Sequence, residues 1–539
     1  MRDIWQLPQT PKCKRGASAV MIGTVGIMTS VQANLEEMER ARENYWCAFP
    51  NTSPIKLRWR AMTVRRCFQV LPEETILELG AGSGLWTEHL ARVLRGENPI
   101  TAAIFNDDLA NAAAQRSLPN VQVRLIRNGL DELPAESYDY IVGTAILCHD
   151  LYEQNLRGLL RLLKPGGQIL FFEANYWNPQ VFIKSVFRAV GRWAGNARCQ
   201  IGMRKYRLMH AVSRAGFTHV EIIPYDLIHA RTPRALVRYV RDLAFVLEHA
   251  PVVRDLCGTL YIWAKRPGGG ERPRPGSLAT RPELHGSTSV VVPCHNEEMN
   301  VGPLVETLML RFGPYIHEIV LVNDNSRDDT AARIRALAIN HPVVKLVNRE
   351  APGGVGLALR DGYAAVSGEF ILSIDCDFAQ IAPDFRDLFE AVADGADGAV
   401  GSRFSHDSVL INYPLPKILC NRAFHVLANF LLPVRIRDIS NNLKLMRAVI
   451  LKNLPITERH FAANVETGLR PILAGYRIVE VPVSWINRTA DMGQSSFRLA
   501  RVAPDYFRAL LRIVRERRRS NRRTVPVGGR KEAPGAPVE

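Results

Sequence analysis

The stretch "ETILELGAGSGLWTEHLARVL", residues 74–94, passes from an apolar strand pattern through three glycines into a helical pattern. Residues 75–79 are predicted to form a buried strand, and Gly80, Gly82 and Gly84 follow it directly. Glycines in a strand-to-helix turn let the backbone approach a ligand that a Cβ atom would push away. The stretch therefore predicts an α/β domain with a ligand site at the carboxyl end of this strand.

The glycine spacing is GxGxG, so the third glycine of the dinucleotide fingerprint GxGxxG is missing. Glu78 lies two residues before the first glycine, where a carboxylate can accept hydrogen bonds but would repel a pyrophosphate. The pattern E-x-G-x-G-x-G resembles motif I of the class I S-adenosylmethionine-dependent methyltransferases. "ESYDYIVGTAILCHD" (136–150) and "LLRLLKPGGQILFFE" (159–173) continue the resemblance, which covers roughly residues 60–265.

This resemblance implies a Rossmann-like methyltransferase fold that binds S-adenosyl-L-methionine. The implied cofactor-binding residues are Glu78, Gly80, Gly82, Gly84, Asn106, Asp107 and Asn128. The sequence departs from the family at two of them, because Asn106 and Asn128 stand where an acidic residue is usual. His149 is a candidate base, with a structural histidine as the alternative, and the sequence does not identify the methyl acceptor.

A second ligand site is indicated by "GEFILSIDCDFAQ", residues 368–380, in which an apolar strand pattern ends in Asp375 and Asp377. Two carboxylates this close repel each other unless a cation lies between them. Apolar strands in "TSVVVPCHNEEMNVGPLVETL" (288–308) and "HEIVLVNDNSRDDTAARI" (317–334) also end in acids and amides. Since open α/β sheets bind ligands at the carboxyl ends of their strands, these side chains are predicted to meet.

In this order, the three segments resemble the family 2 glycosyltransferases of the GT-A fold, within the dolichol-phosphate mannose synthase-like group. The resemblance implies a nucleotide-sugar donor and a Mg²⁺ or Mn²⁺ ion held by Asp375 and Asp377. The implied donor-binding residues are Pro293, Asn296, Glu297, Asp324, Asp328 and Asp375. Arg403 in "VGSRF" (400–404) and Arg488 in "GYRIVEVPVSWINRTADMGQSSF" (475–497) are candidates for holding phosphates. Ser496 and Gln380 depart from the family pattern.

Two acceptors are compatible with the sequence. A polyprenyl phosphate is already ionised at neutral pH, so it requires positioning by cations such as Arg403, Lys417 and Arg422. A hydroxyl acceptor requires a carboxylate base, for which Asp438 in "RDISNNLKLMR" (437–447) is the best candidate.

The domain organisation is predicted from the Gly/Pro/Arg-rich stretch "RPGGGERPRPGSLATRPELHGS", which reads as a flexible linker between two doubly wound α/β domains. The predicted divisions are a leader and helix (1–55), a methyltransferase-like domain (56–265), the linker (266–287), a glycosyltransferase-like domain (288–519) and a disordered basic tail (520–539). The basic, weakly apolar start imitates a signal peptide, but a disordered leader or an early start codon is the favoured interpretation.

The net charge of +16 comes largely from the C-terminus, where residues 497–523 hold ten arginines and two acids. Apolar residues recur there at helical spacing, so the segment is predicted to be a helix, either packed on its own domain or bound to an anionic membrane surface. Nucleic acid is not an expected partner, because no aromatic residues on a sheet face accompany the charge. Nine scattered cysteines and the lack of a long uncharged stretch favour a cytoplasmic protein, peripheral at the cytoplasmic face of a membrane.

These patterns predict a bifunctional enzyme that transfers a methyl group with one domain and a sugar with the other. The alternative is a glycosyltransferase whose first domain is a regulatory or vestigial S-adenosylmethionine-binding module.

Overall fold

The computed structural model of the chain describes eight ranges, which are 30–127, 129–147, 152–187, 202–268, 278–378, 382–411, 413–486 and 499–523. The described residues divide into two units, of which the first comprises those up to Leu278, residues 382–383, and those between His406 and Leu415. Each unit contains one seven-stranded sheet. This confirms the prediction of two α/β domains.

The first sheet has the strand order β3-β2-β1-β4-β5-β7-β6. Its strands are β1 Ile76–Leu79, β2 Ile100–Ile104, β3 Val121–Leu125, β4 Tyr138–Thr144, β5 Leu163–Ala174, β6 Thr218–Tyr225 and β7 Thr259–Lys265. The helices are α1 Ser30–Ala48, α2 Ser53–Phe68, α3 Leu85–Val93, α4 Asp107–Ala114, α5 Tyr152–Leu162, α6 Pro179–Val186, α7 Lys205–Arg214 and α8 Arg234–Leu247. Strands β1 to β5 are parallel, and β7 runs antiparallel to both of its neighbours.

The register of this sheet determines which strand ends meet. Leu79 of β1 lies beside Ala103 of β2 and Gly143 of β4, and Gly143 lies beside Phe171 of β5. The carboxyl ends of four parallel strands therefore lie at one edge, directly after the fully buried side chains of the sheet, such as Leu77. The glycine turn after β1 is at this edge.

The second sheet has the strand order β10-β9-β8-β11-β14-β12-β15, in which only β14 is antiparallel to its neighbours. Its strands are β8 Thr288–Cys294, β9 Ile316–Asp324, β10 Val344–Arg349, β11 Phe370–Ser373, β12 Gly398–Ser402, β14 Lys444–Arg447 and β15 Ile478–Pro482. Two further short strands are β13 Val409–Ile411 and β16 Ser484–Ile486. The helices are α9 Val301–Phe312, α10 Thr330–Asn340, α11 Val355–Ala365, α12 Ala382–Ala393, α13 Leu415–Leu431, α14 Ala448–Lys452, α15 Ala463–Leu473 and α16 Leu499–Arg523.

The C-terminal helix α16 packs on its own domain. Leu510, Ile513 and Val514 are buried in one apolar cluster with residues of α13 and α15, such as Phe424 and Leu469. The apolar stripe that the sequence shows in this segment is therefore explained by packing within the domain. No helix among the described residues is sufficiently long and apolar to cross a membrane.

The predicted linker is packed where the structure describes its C-terminal part. Leu284 is 5% exposed, and the backbone N–H of Arg281 donates to the hydroxyl of Tyr315 at 2.7 Å. This part was predicted to be flexible, but an apolar side chain and a hydrogen bond attach it to the second domain. Residues 269–277 and the predicted leader lie outside the described residues, as does the tail beyond Arg523.

Candidate active sites

The glycine turn of the first domain needs glycine at three positions. Gly80, Gly82 and Gly84 have φ angles of 63°, 60° and 79°, in the left-handed region that side chains other than glycine rarely adopt. Gly84 is the N-cap of α3. A Cβ atom on Gly82 would lie 2.6 Å from Oε2 of Glu43, so a larger residue would also collide.

Glu78 lies directly below this turn and is 1% exposed. Burial raises the pKa of its carboxyl group to about 8, against the lowering effect of the nearby Thr87 hydroxyl, and its Oε2 atom has no partner at standard hydrogen-bond geometry within the described residues. Buried polar atoms are nearly always paired, so this oxygen is a candidate for a hydrogen bond to a ligand. The carboxylate could accept a hydrogen bond from an amino or hydroxyl group, as the sequence predicts.

Helix α1 covers the glycine turn. The sequence analysis did identify this turn, but it missed the contact with α1. The backbone N–H of Gly82 donates to Oε1 of Glu39 at 3.0 Å, and that of Phe105 donates to Oε2 at 2.9 Å. Burial raises the pKa of Glu39 to about 7. One carboxylate therefore binds two N–H groups at the edge where a ligand would lie.

Two more side chains of α1 contact the same turn. Arg42 donates to the carbonyl oxygens of Gly80 and of Thr144, the latter at 2.8 Å. Glu43 accepts hydrogen bonds from the backbone and the hydroxyl of Ser83. The signal in the sequence was the placement of Glu39 and Glu43 four residues apart, which puts both acids on one face of a helix.

The remaining predicted cofactor residues have different environments. Asn106 is buried, and its Oδ1 atom accepts from the N–H groups of Asp108 at 3.1 Å and Leu109 at 3.2 Å, which caps α4. Asp107 is exposed and forms an ion pair of 2.8 Å with Arg127. The structure therefore brings Glu78, the glycines and Asn106 to one edge but directs Asp107 toward solvent. Asn128 and His149 lie outside the described residues.

Glu173, at the end of β5, is a further buried acid that the sequence analysis did not select. Its Oε1 atom accepts from the backbone N–H groups of Ile146 and Leu147, both at 2.9 Å. Burial raises the pKa of Glu173 to about 7. Glu173 therefore holds the turn after β4 at the same sheet edge as Glu78.

In the second domain, the turns after β8 and β9 are joined by hydrogen bonds. Oδ1 of Asn296 accepts from the N–H of Arg327 at 2.9 Å, and the N–H of Asn296 donates to the Ser326 hydroxyl at 3.0 Å. The N–H of Glu297 donates to the Thr330 hydroxyl at 2.8 Å. Five predicted donor-binding residues lie in or beside these turns, namely Pro293, Asn296, Glu297, Asp324 and Asp328.

Two of these acids are held by specific partners. Asp324 is 5% exposed, forms an ion pair with Arg349, and accepts from the N–H of Gly354 at 2.6 Å. Asp328 accepts from the N–H of Glu298 at 3.3 Å. Asp324 is therefore positioned at the carboxyl end of β9 by contacts from two neighbouring segments.

The acidic pair follows β11 at the same sheet edge. Burial, together with the neighbouring charge of Asp377, raises the pKa of Asp375 to about 6. Asp375 accepts from Nδ2 of Asn442 at 2.9 Å. Lys444 is fully buried, and burial lowers the pKa of its amine to about 7. The sequence analysis quoted residues 437–447 but did not select Asn442 or Lys444 as site residues.

The acidic pair fits a divalent cation. Burial and then the charge of Asp377 raise the pKa of Asp375, and a positive ion between the two carboxylates would oppose both effects. Oxygen ligands are those that Mg²⁺ and Mn²⁺ prefer. No group of three or more His, Cys, Asp or Glu side chains that could hold a metal is present in the described part of the chain. Asp375 and Asp377 thus offer two metal ligands, and the remaining positions around a cation would be filled by other groups.

Arg403 and Asp438 form a buried ion pair. Nε of Arg403 lies 2.7 Å from Oδ2 of Asp438, and Nη2 lies 3.1 Å from Oδ1. Burial alone would raise the pKa of Asp438, but the charge and hydrogen bonds of Arg403 hold it well below its usual range. A fully buried carboxylate in this state is a poor proton acceptor, so the prediction that Asp438 serves as a catalytic base does not fit the geometry.

The side chain of Arg403 is fixed from several directions. Its guanidinium also donates to the Ser440 hydroxyl at 2.9 Å and lies 5.4 Å from the ring centroid of Trp485. Burial and then the charge of Arg403 lower the pKa of Lys417. Arg422 donates to a backbone carbonyl at 3.3 Å. Two of the three cations predicted for acceptor binding, Arg403 and Lys417, therefore lie close enough for the charge of one to affect the pKa of the other. Arg488, Gln380 and Ser496 lie outside the described residues.

The two candidate sites lie in two α/β domains, and comparison with known families assigns each domain. The family model described as "Methyltransferase domain" matches residues 76–167, and the model described as "Glycosyl transferase family 2" matches residues 289–454. The chain thus contains a methyltransferase domain followed by a family 2 glycosyltransferase domain.

The second domain is homologous to polyprenol- and dolichol-phosphate mannose synthases. The chain is 28% identical over 241 residues to the polyprenol monophosphomannose synthase of Mycolicibacterium smegmatis, covering 42% of this chain and 86% of the relative. It is 25% identical over 230 residues to the dolichol-phosphate mannosyltransferase of Pyrococcus furiosus, covering 42% of this chain and 63% of the relative.

Two solved structures show weaker similarity. Glucosyl-3-phosphoglycerate synthase of Mycobacterium tuberculosis, in complex with uridine diphosphate, has a TM-score of 0.35 and 18% identity over 46% of this chain and 86% of its own. A S-adenosylmethionine-dependent methyltransferase of Thermotoga maritima, described as a possible histamine N-methyltransferase, has a TM-score of 0.29 and 16% identity over 44% of this chain and 99% of its own.

Proposed function

We propose that the chain is a bifunctional enzyme. In this proposal the second domain transfers a sugar from a nucleotide sugar to a polyprenyl phosphate, and the first domain transfers a methyl group from S-adenosyl-L-methionine. The observation that carries the sugar-transfer part is the Asp375–Asp377 pair. Burial and then the charge of Asp377 raise the pKa of Asp375, and a divalent cation would oppose both effects. The names of the two mannose-transferring relatives support the same donor and acceptor classes.

The donor would lie across the carboxyl ends of β8, β9 and β11. Asp324 offers a fixed carboxylate to the nucleoside, and the joined turns around Asn296 shape the site. A divalent ion held by Asp375 and Asp377 would neutralise charge on the donor's diphosphate as it departs. Asn442 orients Asp375 for this task through its 2.9 Å hydrogen bond.

The acceptor is inferred from the state of Asp438. A hydroxyl acceptor would need a base, but Asp438 is committed to Arg403 and its pKa is held low. A phosphate acceptor needs no base, because its oxygen is already ionised at neutral pH. Lys417 and Arg422, the other two cations predicted for acceptor binding, would attract and orient such a phosphate, so the geometry supports a polyprenyl phosphate over a hydroxyl.

The methyl-transfer part is supported by Glu78 and the glycine turn. The unpaired Oε2 of Glu78 could accept a hydrogen bond from the ligand, and the glycines allow its close approach. The alternative of a regulatory or vestigial module is favoured by α1, since Glu39 already binds the N–H groups of Gly82 and Phe105. Methyl transfer requires that the full chain bind the cofactor, so the absence of binding would favour a vestigial module.

We place the enzyme at the cytoplasmic face of a membrane. Helix α13 exposes Leu419, Val426 and Phe430, which recur at helical spacing with exposed fractions of 49%, 63% and 84%. Helix α16 exposes arginines near its end, such as Arg515 and Arg519. An apolar helix face and exposed cations are the features by which proteins bind an anionic leaflet without spanning it.

Donor use by the second domain is tested with the full-length Asp377→Asn variant. Mn²⁺-dependent turnover of GDP-mannose, UDP-glucose and UDP-N-acetylglucosamine is measured for both proteins. We expect the variant to lose activity while keeping its fold, because the change removes a charged ligand and little volume. The matched control is Asp394→Asn, which removes an exposed carboxylate paired with Arg281. Unchanged turnover in the Asp377 variant would exclude the metal role.

A further inference from the structure

Helix α6 and its flanking residues leave large apolar side chains exposed. Their exposed fractions range from 41% to 59%, and no residue of α6 is buried. We call them the α6 surface, which consists of Trp177, Phe182, Ile183, Val186 and Phe187. Single exposed apolar residues are ordinary, whereas five large ones within eleven consecutive residues are typical of a binding surface.

Hydrogen bonds hold helix α6 in place although its apolar side chains are exposed. Oδ1 of Asn178 accepts from the N–H groups of Gln180 at 3.1 Å and Val181 at 3.3 Å, which caps the helix. The N–H of Gly202 donates to the Ser185 hydroxyl at 2.9 Å. A helix of eight residues would be marginal in isolation, so these contacts with the domain keep its apolar side chains in place.

The surroundings of the α6 surface are cationic. Among the described residues, 174–187 and 202–220 contain five Lys and Arg residues and no Asp or Glu. Arg204 lies over the ring of Tyr176, with its guanidinium carbon 4.3 Å from the ring centroid. Burial and then the charge of Arg231 lower the pKa of Lys184, so a second cation lies close to α6. The complementary partner is therefore apolar at its centre and negatively charged around it.

The position of the α6 surface in the fold links it to the candidate methyl-transfer site. Helix α6 begins five residues after Ala174, the last residue of β5. In the register of the sheet, this end of β5 lies at the same edge as the glycine turn after β1. A partner on the α6 surface would thus approach the edge that carries Glu78.

We propose that the α6 surface docks on the anionic face of a lipid bilayer. Aromatic and aliphatic side chains on a short helix, with Lys and Arg nearby and no Asp or Glu among residues 174–187 and 202–220, match the chemistry of the bilayer interface. This contact would belong to the first domain and would be independent of α13 and α16. It also gives the class of the methyl acceptor, a lipid or lipid-linked molecule, and this last step rests on the proposed methyl transfer.

The test is sedimentation of the full chain with vesicles of phosphatidylcholine alone or mixed with phosphatidylglycerol. The variant Phe182→Ser/Phe187→Ser is compared with the natural sequence at about 0.1 M and about 1 M NaCl, where the Debye length is about 10 Å and about 3 Å. Since both Phe side chains would be buried in the bilayer interface, we expect the variant to bind mixed vesicles about tenfold more weakly or worse at both salt concentrations. Ile339→Ser, which removes a single 83% exposed residue of α10, should bind like the natural sequence.

Three further outcomes have defined meanings. The variant Arg515→Gln/Arg519→Gln should bind less only at low salt, so failure of the proposed C-terminal contact can be told apart from failure of the α6 contact. Equal vesicle binding by the Phe182/Phe187 variant and the natural sequence would overturn the proposal. So would a dimer of the natural chain that dissociates in this variant, because the surface would then bind a second copy. Equilibrium urea unfolding of the full chain checks that the variant remains folded, whether or not the first domain binds S-adenosylmethionine.

Discussion

Replacing Asp375 by asparagine should stabilise the second domain in the absence of metal. Burial and the charge of Asp377 raise the pKa of Asp375 from its usual 3.8 to about 6. Below pH 3.8 the carboxyl group is neutral in both the folded and the unfolded state. As the pH rises from 3.8 to about 6 the unfolded chain ionises first, so the folded state loses stability, and above about pH 6 this loss is complete.

The size of the effect follows from the shift. A difference of about two pKa units, at about 1.4 kcal/mol each, corresponds to about 3 kcal/mol. Asp375→Asn removes this loss above pH 6 and keeps a carbonyl oxygen for the hydrogen bond from Asn442. The variant should therefore be more stable than the natural sequence by up to about 3 kcal/mol at about pH 8, and by much less at about pH 4.

Equilibrium urea unfolding with EDTA or Mn²⁺ provides the assay. With EDTA at about pH 8 we expect the Asp375 variant to unfold at higher urea than the natural sequence. Mn²⁺ at about one hundred times its dissociation constant should stabilise the natural sequence by about 2.7 kcal/mol and leave the variant unchanged. Asp394→Asn should change stability by less than about 1 kcal/mol, because its ion pair with Arg281 is exposed. Equal stability of the two proteins in EDTA, or equal stabilisation by Mn²⁺, would refute the reasoning.

Three other changes have expected outcomes. Gly82→Val should abolish binding of S-adenosylmethionine in calorimetry of the full chain, because its side chain would need a left-handed φ and collide with Glu43; equal binding would contradict the assigned site. Cofactor affinity should rise up to about tenfold from about pH 7 to about pH 9 as Glu78, with a pKa of about 8, ionises, and Glu78→Gln should remove this dependence. Asp438→Asn leaves Arg403 buried without its partner, so urea unfolding should show a loss of about 3–5 kcal/mol; undiminished stability with lost turnover would instead indicate a catalytic base.

The parts of the fold and of the sites that could be predicted from the sequence are those determined by residues close together in the chain. The glycine turn is recognisable because its φ angles are a local requirement that glycine meets. The Asp375–Asp377 pair is recognisable because both acids follow one apolar strand. Both family assignments rest on such local segments in a fixed order, and the comparisons confirm them.

The contacts that could not be predicted join residues far apart in the chain. Asn442 reaches Asp375 across 67 residues, and Arg403 reaches Asp438 across 35. In the sequence alone, Asp375 and Asp438 are both candidate site residues. Only the contact with Arg403 shows that the charge of Asp438 is neutralised by an arginine. Glu39 was missed for the same reason, since it lies 43 residues before the N–H of Gly82 that it binds.

Transfer of labelled sugar into a lipid phosphate tests the central claim most directly. The full-length protein is incubated with radiolabelled GDP-mannose, a polyprenyl phosphate and Mn²⁺, and the label in the organic phase is counted after extraction. We predict organic-phase label that disappears with EDTA and in Asp377→Asn, because the donor's diphosphate would lose its counter-charge. Mn²⁺-dependent consumption of the donor with all label remaining water-soluble would contradict the polyprenyl phosphate as the acceptor.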